Sequence, residues 1–235
     1  MMILLTNDDG VDAPGLAALR VATRGLGDCR VAAPVGPQSG CGHVVTTHAP
    51  IATFGRDDSQ VAVDGTPADC VRVALHRFGP GIAWVVAGIN AGGNLGSDIH
   101  HSGTVAAARE AALRGIPGVA VSHYIARGRA LDWDRAARWF TPVLVALMAR
   151  PTEPGTFWNV NLPHPEPGGP DPEVVFCPVD PSPLPLAFRD EAAGLVYSGD
   201  YQGRARRPGG DVAACFGGRI AVSLVHVMAS VWPIA

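Results

Sequence analysis

Apolar and polar positions follow two recurring patterns over residues 1–163. Short apolar runs, which predict strands, lie at residues 2–6, 30–33, 51–54, 61–63, 83–87, 118–122 and 156–161. Stretches with helical spacing of apolar residues lie between them, at residues 14–26, 68–78, 104–114 and 133–150. The first run is apolar throughout, as in a central parallel strand that is covered on both faces. Strand and helix in alternation predict an α/β protein with a Rossmann-like, doubly wound, mostly parallel sheet.

The character of the sequence changes after Pro163. Residues 163–185 are rich in proline, which is incompatible with regular helix, and the remainder resembles a β-hairpin followed by a final strand at 219–227. With 156–161 as the last strand of the core, we expect an α/β core over residues 1–163 and a β-rich extension over 164–235. The extension would pack on a partner subunit and serve oligomerisation. The alternative is a plain loop followed by one edge strand.

Composition limits the classes of partner and reaction. Charged residues make up 17% of the chain, below the roughly 25% of an average domain, which favours an oligomer that buries part of its surface. The net charge of −3 argues against binding to a nucleic-acid polymer or to a membrane. All 18 basic residues are arginines. The absence of lysine excludes Schiff-base chemistry, a Walker A site and a lysine general base.

Cysteine usage and hydropathy predict the compartment. The 5 cysteines are scattered without a CxxC pair, as expected for reduced thiols rather than a disulfide framework or zinc site. The amino-terminal residues lack the basic segment of a signal peptide, and no apolar stretch approaches the roughly 20 residues of a membrane span. We therefore expect a soluble, cytoplasmic protein.

Polar residues follow the predicted strands where ligands bind to open α/β sheets. Asp8 and Asp9 come directly after the first strand, and a following glycine permits a tight turn. The pair could approach a hard cation from one side, or one aspartate could simply cap a helix while the other is solvated. Ser39 and Gly40 follow the second strand and could offer a hydroxyl and backbone N–H groups, although a Ser-Gly pair is more often only a turn.

The third loop, over residues 88–103, is the most informative because it is long, rich in glycine and weakly charged. Asn90 supplies a neutral oxygen of the kind that accompanies carboxylates around Mg²⁺ or Mn²⁺. Ser102 and Thr104 flank the start of the next helix, where free N–H groups and the helix dipole suit a phosphate. His100 and His101 are expected to face solvent, with proton donation to a leaving group as the alternative. The arginines at 204, 206 and 207 are expected in a solvated loop, with phosphate recognition as the alternative.

Taken in order, these motifs resemble the SurE (survival protein E) family of metal-dependent nucleotidases and phosphatases. The resemblance is carried by NDDGVDAPG (7–15), the Ser39-Gly40 loop, DGTPADCV (64–71) and the long segment GINAGGNLGSDIHHSGTVAAAREAALRGIP (88–117). It covers roughly the first 160 residues. In the tail only the final strand, RIAVSLVHV, is similar to the family.

The resemblance implies one divalent ion, Mg²⁺ or Mn²⁺, per subunit, with four ligands: Asp8, Asp9, Ser39 and Asn90. It also implies a phosphate site made of Gly40, Asn94, Ser102, Gly103 and Thr104. The implied activity is hydrolysis of phosphate monoesters, above all nucleoside 5′-monophosphates, with 3′-monophosphates and short polyphosphate as further substrates. Asp8 and Asp9 would be catalytic in a metal-assisted attack by water, and the protein would be a homodimer or homotetramer.

The sequence departs from the family pattern at the second loop. Family members usually carry basic and polar residues just before the serine, whereas here the stretch is Val35-Gly36-Pro37-Gln38. The tyrosine that commonly precedes the Ser-Gly-Thr sequence is His101. A loss of positive charge bears on phosphate affinity and substrate choice, but not on the implied metal ligands. The alternative function is therefore a SurE-like protein that binds nucleotide or metal with weak turnover or none.

Overall fold

A computed structural model describes residues 1–166 and 168–228. Eleven strands occur in this part of the chain: β1 (Met2–Thr6), β2 (Asp28–Pro34), β3 (Ala52–Asp57), β4 (Gln60–Asp64), β5 (Ile82–Ala91), β6 (Gly118–His123), β7 (Thr156–Leu162), β8 (Val174–Phe176), β9 (Phe188–Glu191), β10 (Gly194–Tyr197) and β11 (Ile220–His226). Five α-helices accompany them: α1 (Pro14–Ala22), α2 (Pro67–Phe78), α3 (Gly103–Leu113), α4 (Trp133–Met148) and α5 (Asp211–Phe216). A short 3-10 turn, Gly96–His100, precedes α3.

Nine of these strands form one sheet in the order β3-β4-β2-β1-β5-β6-β7-β11-β8. Strands β4, β2, β1, β5, β6 and β7 run parallel to one another. Strand β3 runs antiparallel to β4, and β11 runs antiparallel to β7 but parallel to β8. The chain starts at the centre of the sheet and winds outwards in both directions. The predicted doubly wound, mostly parallel α/β fold is confirmed.

Helices cover both faces of the sheet, which explains why the central strands are apolar throughout. Helices α1 and α4 pack together on one face, above a core that contains Ile3, Leu5 and Val86. Helices α2 and α3 pack on the other face, above Leu4, Val85 and further small side chains. No described helix has the length and apolar character that crossing a membrane requires.

The tail differs from expectation in one respect. The prediction that 156–161 is the last strand of the core is wrong, because β11 joins the main sheet and pairs with β7 from Ala221 opposite Asn161 to His226 opposite Thr156. The pairing buries the first four residues of β11, and β8 then extends the sheet by a further strand. The hairpin expected in the tail is formed by β9 and β10, apart from the main sheet. That the tail packs on a partner subunit stays a prediction.

Candidate metal and phosphate site

The turn after β1 presents two carboxylates at the carboxyl edge of the sheet. The side chain of Asn7 closes this turn, because its Nδ2 donates to the Gly10 carbonyl at 2.8 Å and its Oδ1 accepts from the Gly10 N–H at 3.2 Å. Gly10 has a φ of +112°, a conformation that side-chain-bearing residues rarely adopt. Asn7 and Gly10 thus hold Asp8 and Asp9 in place immediately beyond the central strand.

Asp8 lies directly against the start of α3. It is buried, and the Thr104 hydroxyl donates a hydrogen bond to its Oδ1. Gly103 permits this approach, because a Cβ at that position would stand 2.8 Å from the Asp8 Cβ. Ser102 caps the helix, since its Oγ accepts from the Val105 N–H at 3.0 Å. The structure therefore brings Asp8, Ser102, Gly103 and Thr104 together at one helix N-terminus.

Asp9 faces the end of β5. The Ala91 N–H donates to Asp9 Oδ2 at 3.4 Å, so the two loops meet here. The neighbouring Asn90 uses its Nδ2 to bond the Gly92 carbonyl at 2.8 Å. No described residue donates a hydrogen bond to the Asn90 Oδ1. That amide oxygen remains available at the same edge as the two carboxylates.

The loop after β2 lies over this edge and is held at both ends. The Gln38 N–H donates to the Asp8 carbonyl at 2.7 Å, and the Gly42 N–H donates to the His101 carbonyl at 3.0 Å. Ser39 and Gly40 lie between these two contacts and are exposed. The side chain of His101 is also exposed, as expected from the sequence.

The electrostatics of the aspartate pair suit a cation. Burial is the main cause that raises the pKa of Asp8; the Thr104 hydrogen bond opposes the shift and the charge of Asp9 adds to it. Burial likewise raises the pKa of Asp9. Within residues 1–166 and 168–228, no arginine or histidine forms an ion pair with either carboxylate. Negative charge is thus concentrated and uncompensated by the protein.

The donor set fits a hard cation rather than zinc. Among the described residues, no group of three or more His, Cys, Asp or Glu side chains could hold a metal ion. Two carboxylates with hydroxyl, amide and water oxygens would complete an octahedral shell of the kind that Mg²⁺ and Mn²⁺ prefer. Asp8, Asp9, Ser39 and Asn90 carry such oxygens and stand on three loops of one sheet edge.

Asn94 is buried, like the candidates for phosphate binding at the start of α3. Its backbone N–H donates to the Asn161 Oδ1 at 2.8 Å, and its carbonyl accepts from the side-chain amides of Asn159 and Asn161. Its own Nδ2 donates to the Ser122 Oγ at 2.7 Å and retains a second hydrogen. A buried polar network of β6 and β7 residues therefore orients Asn94 at the edge of the sheet.

The tail supports the turn that leads into α3, which sequence reasoning missed. Arg204, expected in a solvated loop, is only 1% exposed and donates to the Asp98 Oδ2 at 2.8 Å. The Tyr201 hydroxyl donates to the same oxygen at 2.7 Å. On the other side of the turn, the Gly96 N–H donates to the Asp211 Oδ2 at 2.9 Å. The sequence signal for these contacts was weak: Asp98 lies in a glycine-rich loop, and the arginines lie about 100 residues downstream. No repeating pattern in the sequence links two positions so far apart.

Comparison with known proteins identifies the family to which the chain is similar. The family model described as "Survival protein SurE" matches residues 3–177. A Nostoc sp. (strain PCC 7120) protein, named as a candidate 5′-nucleotidase, is 52% identical over 227 residues, which cover 97% of this chain and 100% of that protein. The 5′-nucleotidase SurE 1 of Thermus thermophilus is 46% identical over 177 residues, covering 72% of this chain and 69% of that protein.

A solved structure agrees over nearly the whole length. The crystal structure of the SurE protein from Aquifex aeolicus superposes with a TM-score of 0.86 at 28% identity, and the match covers 98% of this chain and 95% of that one. The coverage includes the tail, where sequence motifs alone were weak. The chain belongs to the SurE family.

Proposed function

We propose that this protein is a divalent-metal-dependent phosphomonoester hydrolase that acts on nucleoside 5′-monophosphates, with 3′-monophosphates and short polyphosphate as further substrates. One observation carries the proposal: the carboxylate of Asp8 stands directly against the N-terminus of α3, a second carboxylate, Asp9, follows it in the chain, and no described residue forms an ion pair with either. Carboxylates suit a cation and a helix N-terminus suits a phosphate, so the two can be bound side by side here. The 5′-nucleotidase names of the SurE relatives support the substrate class.

One Mg²⁺ or Mn²⁺ per subunit would be held by Asp8, Asp9, Ser39 and Asn90. When bound, the ion supplies Lewis-acid polarisation of a phosphoryl oxygen and lowers the pKa of bound water. The two aspartates counterbalance its charge, and the free Asn90 Oδ1 provides a neutral ligand. Burial raises the pKa of both carboxyls because it disfavours their charged forms. A bound cation would offset this cost.

The phosphate would lie at the first turn of α3. The backbone N–H groups of Gly103 and Thr104 donate to no carbonyl of the described residues, as expected for the first turn of a helix. Ser102 uses its Oγ as an acceptor, so its hydroxyl hydrogen can still donate to a phosphoryl oxygen. Asn94 contributes its second amide hydrogen, and Gly40 a backbone N–H from the opposite side. These donors stabilise negative charge on the phosphoryl oxygens as the ester bond breaks.

Water attacks phosphorus in line with the ester bond, opposite the leaving oxygen. A carboxylate at Asp8 or Asp9 orients the water and accepts its proton; the ester P–O bond breaks as the new P–O bond forms, and the departing alkoxide takes up a proton from solvent. Burial of Asp8 excludes bulk water from one side of the reacting group, which strengthens each of these interactions. The alternative, binding of nucleotide or metal with weak turnover or none, is favoured by the absence of a basic residue from positions 35–42.

The expected assembly is a homodimer or homotetramer built through the tail. Large apolar side chains are exposed on and beside the β9-β10 hairpin, with Leu186 88% and Leu195 68% exposed. Such side chains are usually covered in an assembly. Binding to a nucleic-acid polymer or a membrane is not expected, and a cytoplasmic location remains the prediction.

Phosphate release from a substrate panel tests the proposal. The panel contains AMP, 3′-AMP, tripolyphosphate and p-nitrophenyl phosphate, each with Mg²⁺, Mn²⁺ or EDTA. Asp8→Asn is compared with Asp58→Asn, a matched change at an exposed aspartate in the β3-β4 turn. We expect metal-dependent release from AMP by the wild type and Asp58→Asn, and none by Asp8→Asn. Release that is equal in all three proteins would refute the assignment, and release from none would favour the binding protein.

A further inference from the structure

A cleft opens on the side of Asp9 that faces away from α3. It has a volume of about 390 Å³, within the range of ligand pockets. Five segments form its walls: the turn after β1, the first turn of α1, the loop after β2, the end of β5 and the first residue of α4. Asp9 is the one candidate metal ligand among the lining residues. The cleft is therefore continuous with the proposed catalytic site.

The walls of the cleft are apolar or acidic. Pro14, Val35, Pro37, Ala91 and Trp133 supply the apolar surface, and Asp9 and Asp12 are the charged residues of the lining. Within residues 1–166 and 168–228 no arginine or histidine lines it, but the Arg56 Nη2 lies 3.1 Å from the Asp12 Oδ2, so Asp9 is the lining carboxylate without an ion-pair partner. The Asp9 carboxylate would repel a phosphate here. An uncharged ring would instead be stabilised, because the apolar walls remove its surface from water. The cleft and the N-terminus of α3 thus favour opposite ends of a nucleotide.

The aromatic wall is held in a fixed position by close packing. A Cβ on Gly15 would stand 2.0 Å from the Ile89 carbonyl oxygen and 3.2 Å from the Trp133 Cη2. The first turn of α1 is therefore pressed between β5 and the indole, which restricts the indole without covering it, since Trp133 remains partly exposed. The Val35 side chain belongs to the same lining and is 46% exposed. The cleft thus offers an aromatic ring and an aliphatic side chain to a planar occupant.

We propose that this cleft binds the nucleobase of the substrate and that Trp133 determines the preference for nucleotides over phosphate esters without a ring. The proposal rests on the proposed function. Asp8 faces α3 and Asp9 lines the cleft, so the ribose of a bound nucleotide would cross the aspartate pair. The phosphate then lies at Gly103 and Thr104, and the base lies beside the indole.

Kinetics with two substrates test the role of the indole. The measured quantity is the ratio of kcat/KM for AMP to kcat/KM for glycerol phosphate, which has no ring. Because base–aromatic stacking is worth about 1–3 kcal/mol, Trp133→Ala should lower this ratio about 5- to 150-fold, and Trp133→Phe should keep it within about threefold of wild type. Arg138→Ala, an exposed change on the same helix, should leave the ratio unchanged. A ratio that Trp133→Ala does not lower, or that Arg138→Ala lowers equally, would overturn the proposal.

Binding of adenosine separates the cleft from the catalytic proposal. Adenosine carries no phosphate, so it should quench tryptophan fluorescence in the wild type and equally in Asp8→Asn, whether or not either protein hydrolyses AMP. Trp133→Phe, which leaves 4 of the 5 tryptophans, should abolish the quenching. Quenching without hydrolysis would refute the proposed enzyme activity and support the cleft as a nucleobase site. Hydrolysis of AMP without quenching by saturating adenosine would overturn the cleft alone.

Discussion

Gly103 is the residue whose replacement tests the closeness of α3 to Asp8 most sharply. Gly103→Ala adds one methyl group at the first position of a helix, where alanine is normally favoured over glycine. Here the new Cβ would stand 2.8 Å from the Asp8 Cβ, 3.0 Å from the Asp8 Oδ2 and 3.0 Å from the Pro67 Cγ. Real Cβ atoms essentially never approach other atoms below 3.0 Å. Either Asp8 or the start of α3 must therefore move.

The cost follows from two opposing effects. Replacing glycine by alanine in a helix gains at most about 1 kcal/mol, whereas overpacking a tight contact costs about 1–3 kcal/mol. We expect a net loss of about 1–2 kcal/mol, which for a domain of this size lowers the Tm by about 2–8 °C. Activity should suffer more, because a displacement of about 1 Å at a reacting centre can cost about 100-fold in rate. The predicted fall in kcat/KM for AMP is about 10- to 100-fold.

Urea unfolding followed by circular dichroism, together with the AMP assay, measures both effects. Gly81→Ala is the matched control, because its Cβ would meet only the flexible end of Met2 at 3.8 Å. The control should keep full activity. If Gly103→Ala were as stable and as active as Gly81→Ala, the assignment of this glycine to the contact between α3 and Asp8 would be wrong.

Three further predictions concern buried charged groups. Burial lowers the pKa of His123 from 6.5 to about 4, so the native protein should lose about 3 kcal/mol of stability as the pH falls through this range, and urea melts of His123→Phe should lack that loss. Hydrogen bonds lower the pKa of Glu110 although burial opposes them. Glu110→Gln, which removes the carboxylate that His43 and Arg114 contact, should therefore cost about 1–3 kcal/mol at pH 7; the difference from wild type should shrink as the pH falls below the ordinary value of 4.5 and vanish only below the lowered native pKa, or the ion pair is not stabilising. Arg204→Ala leaves the carboxylate of Asp98 without its buried partner and should cost about 3–5 kcal/mol of stability, measured by thermal unfolding. Arg206→Ala, on the exposed surface, should be nearly neutral. Equal effects of the two changes would refute the role of the Arg204–Asp98 pair.

The fold could be predicted where local pattern decides it. Continuous apolar runs marked the parallel strands, because a strand covered on both faces has no polar side to show. The placement of β11 beside β7 could not be predicted, since both strands are apolar and nothing local records which neighbour a strand selects. Similarly, β5 continues to Ala91 inside a stretch predicted as loop, because Asn90 and Ala91 pair with Ser122 and His123 of β6.

The candidate site divides in the same way. Residues at strand ends and helix starts, such as Asp8 and Thr104, could be proposed from their positions, because a parallel sheet brings those positions to one edge. The groups that hold these residues in place could not be predicted. Arg204 and Asp211 reach the turn before α3 from the far end of the chain, and their contacts depend on a tail whose path has no repeating pattern.

The most direct test of the account is a titration of Mn²⁺ into EDTA-treated protein, with heat of binding and phosphate release from AMP measured on the same samples. The variants are wild type, Asp8→Asn and Asp58→Asn. The account predicts that wild type and Asp58→Asn bind one ion per chain and gain activity in proportion to occupancy, while Asp8→Asn does neither. Phosphate release by the wild type before any Mn²⁺ is added, or full activity of Asp8→Asn, would contradict it.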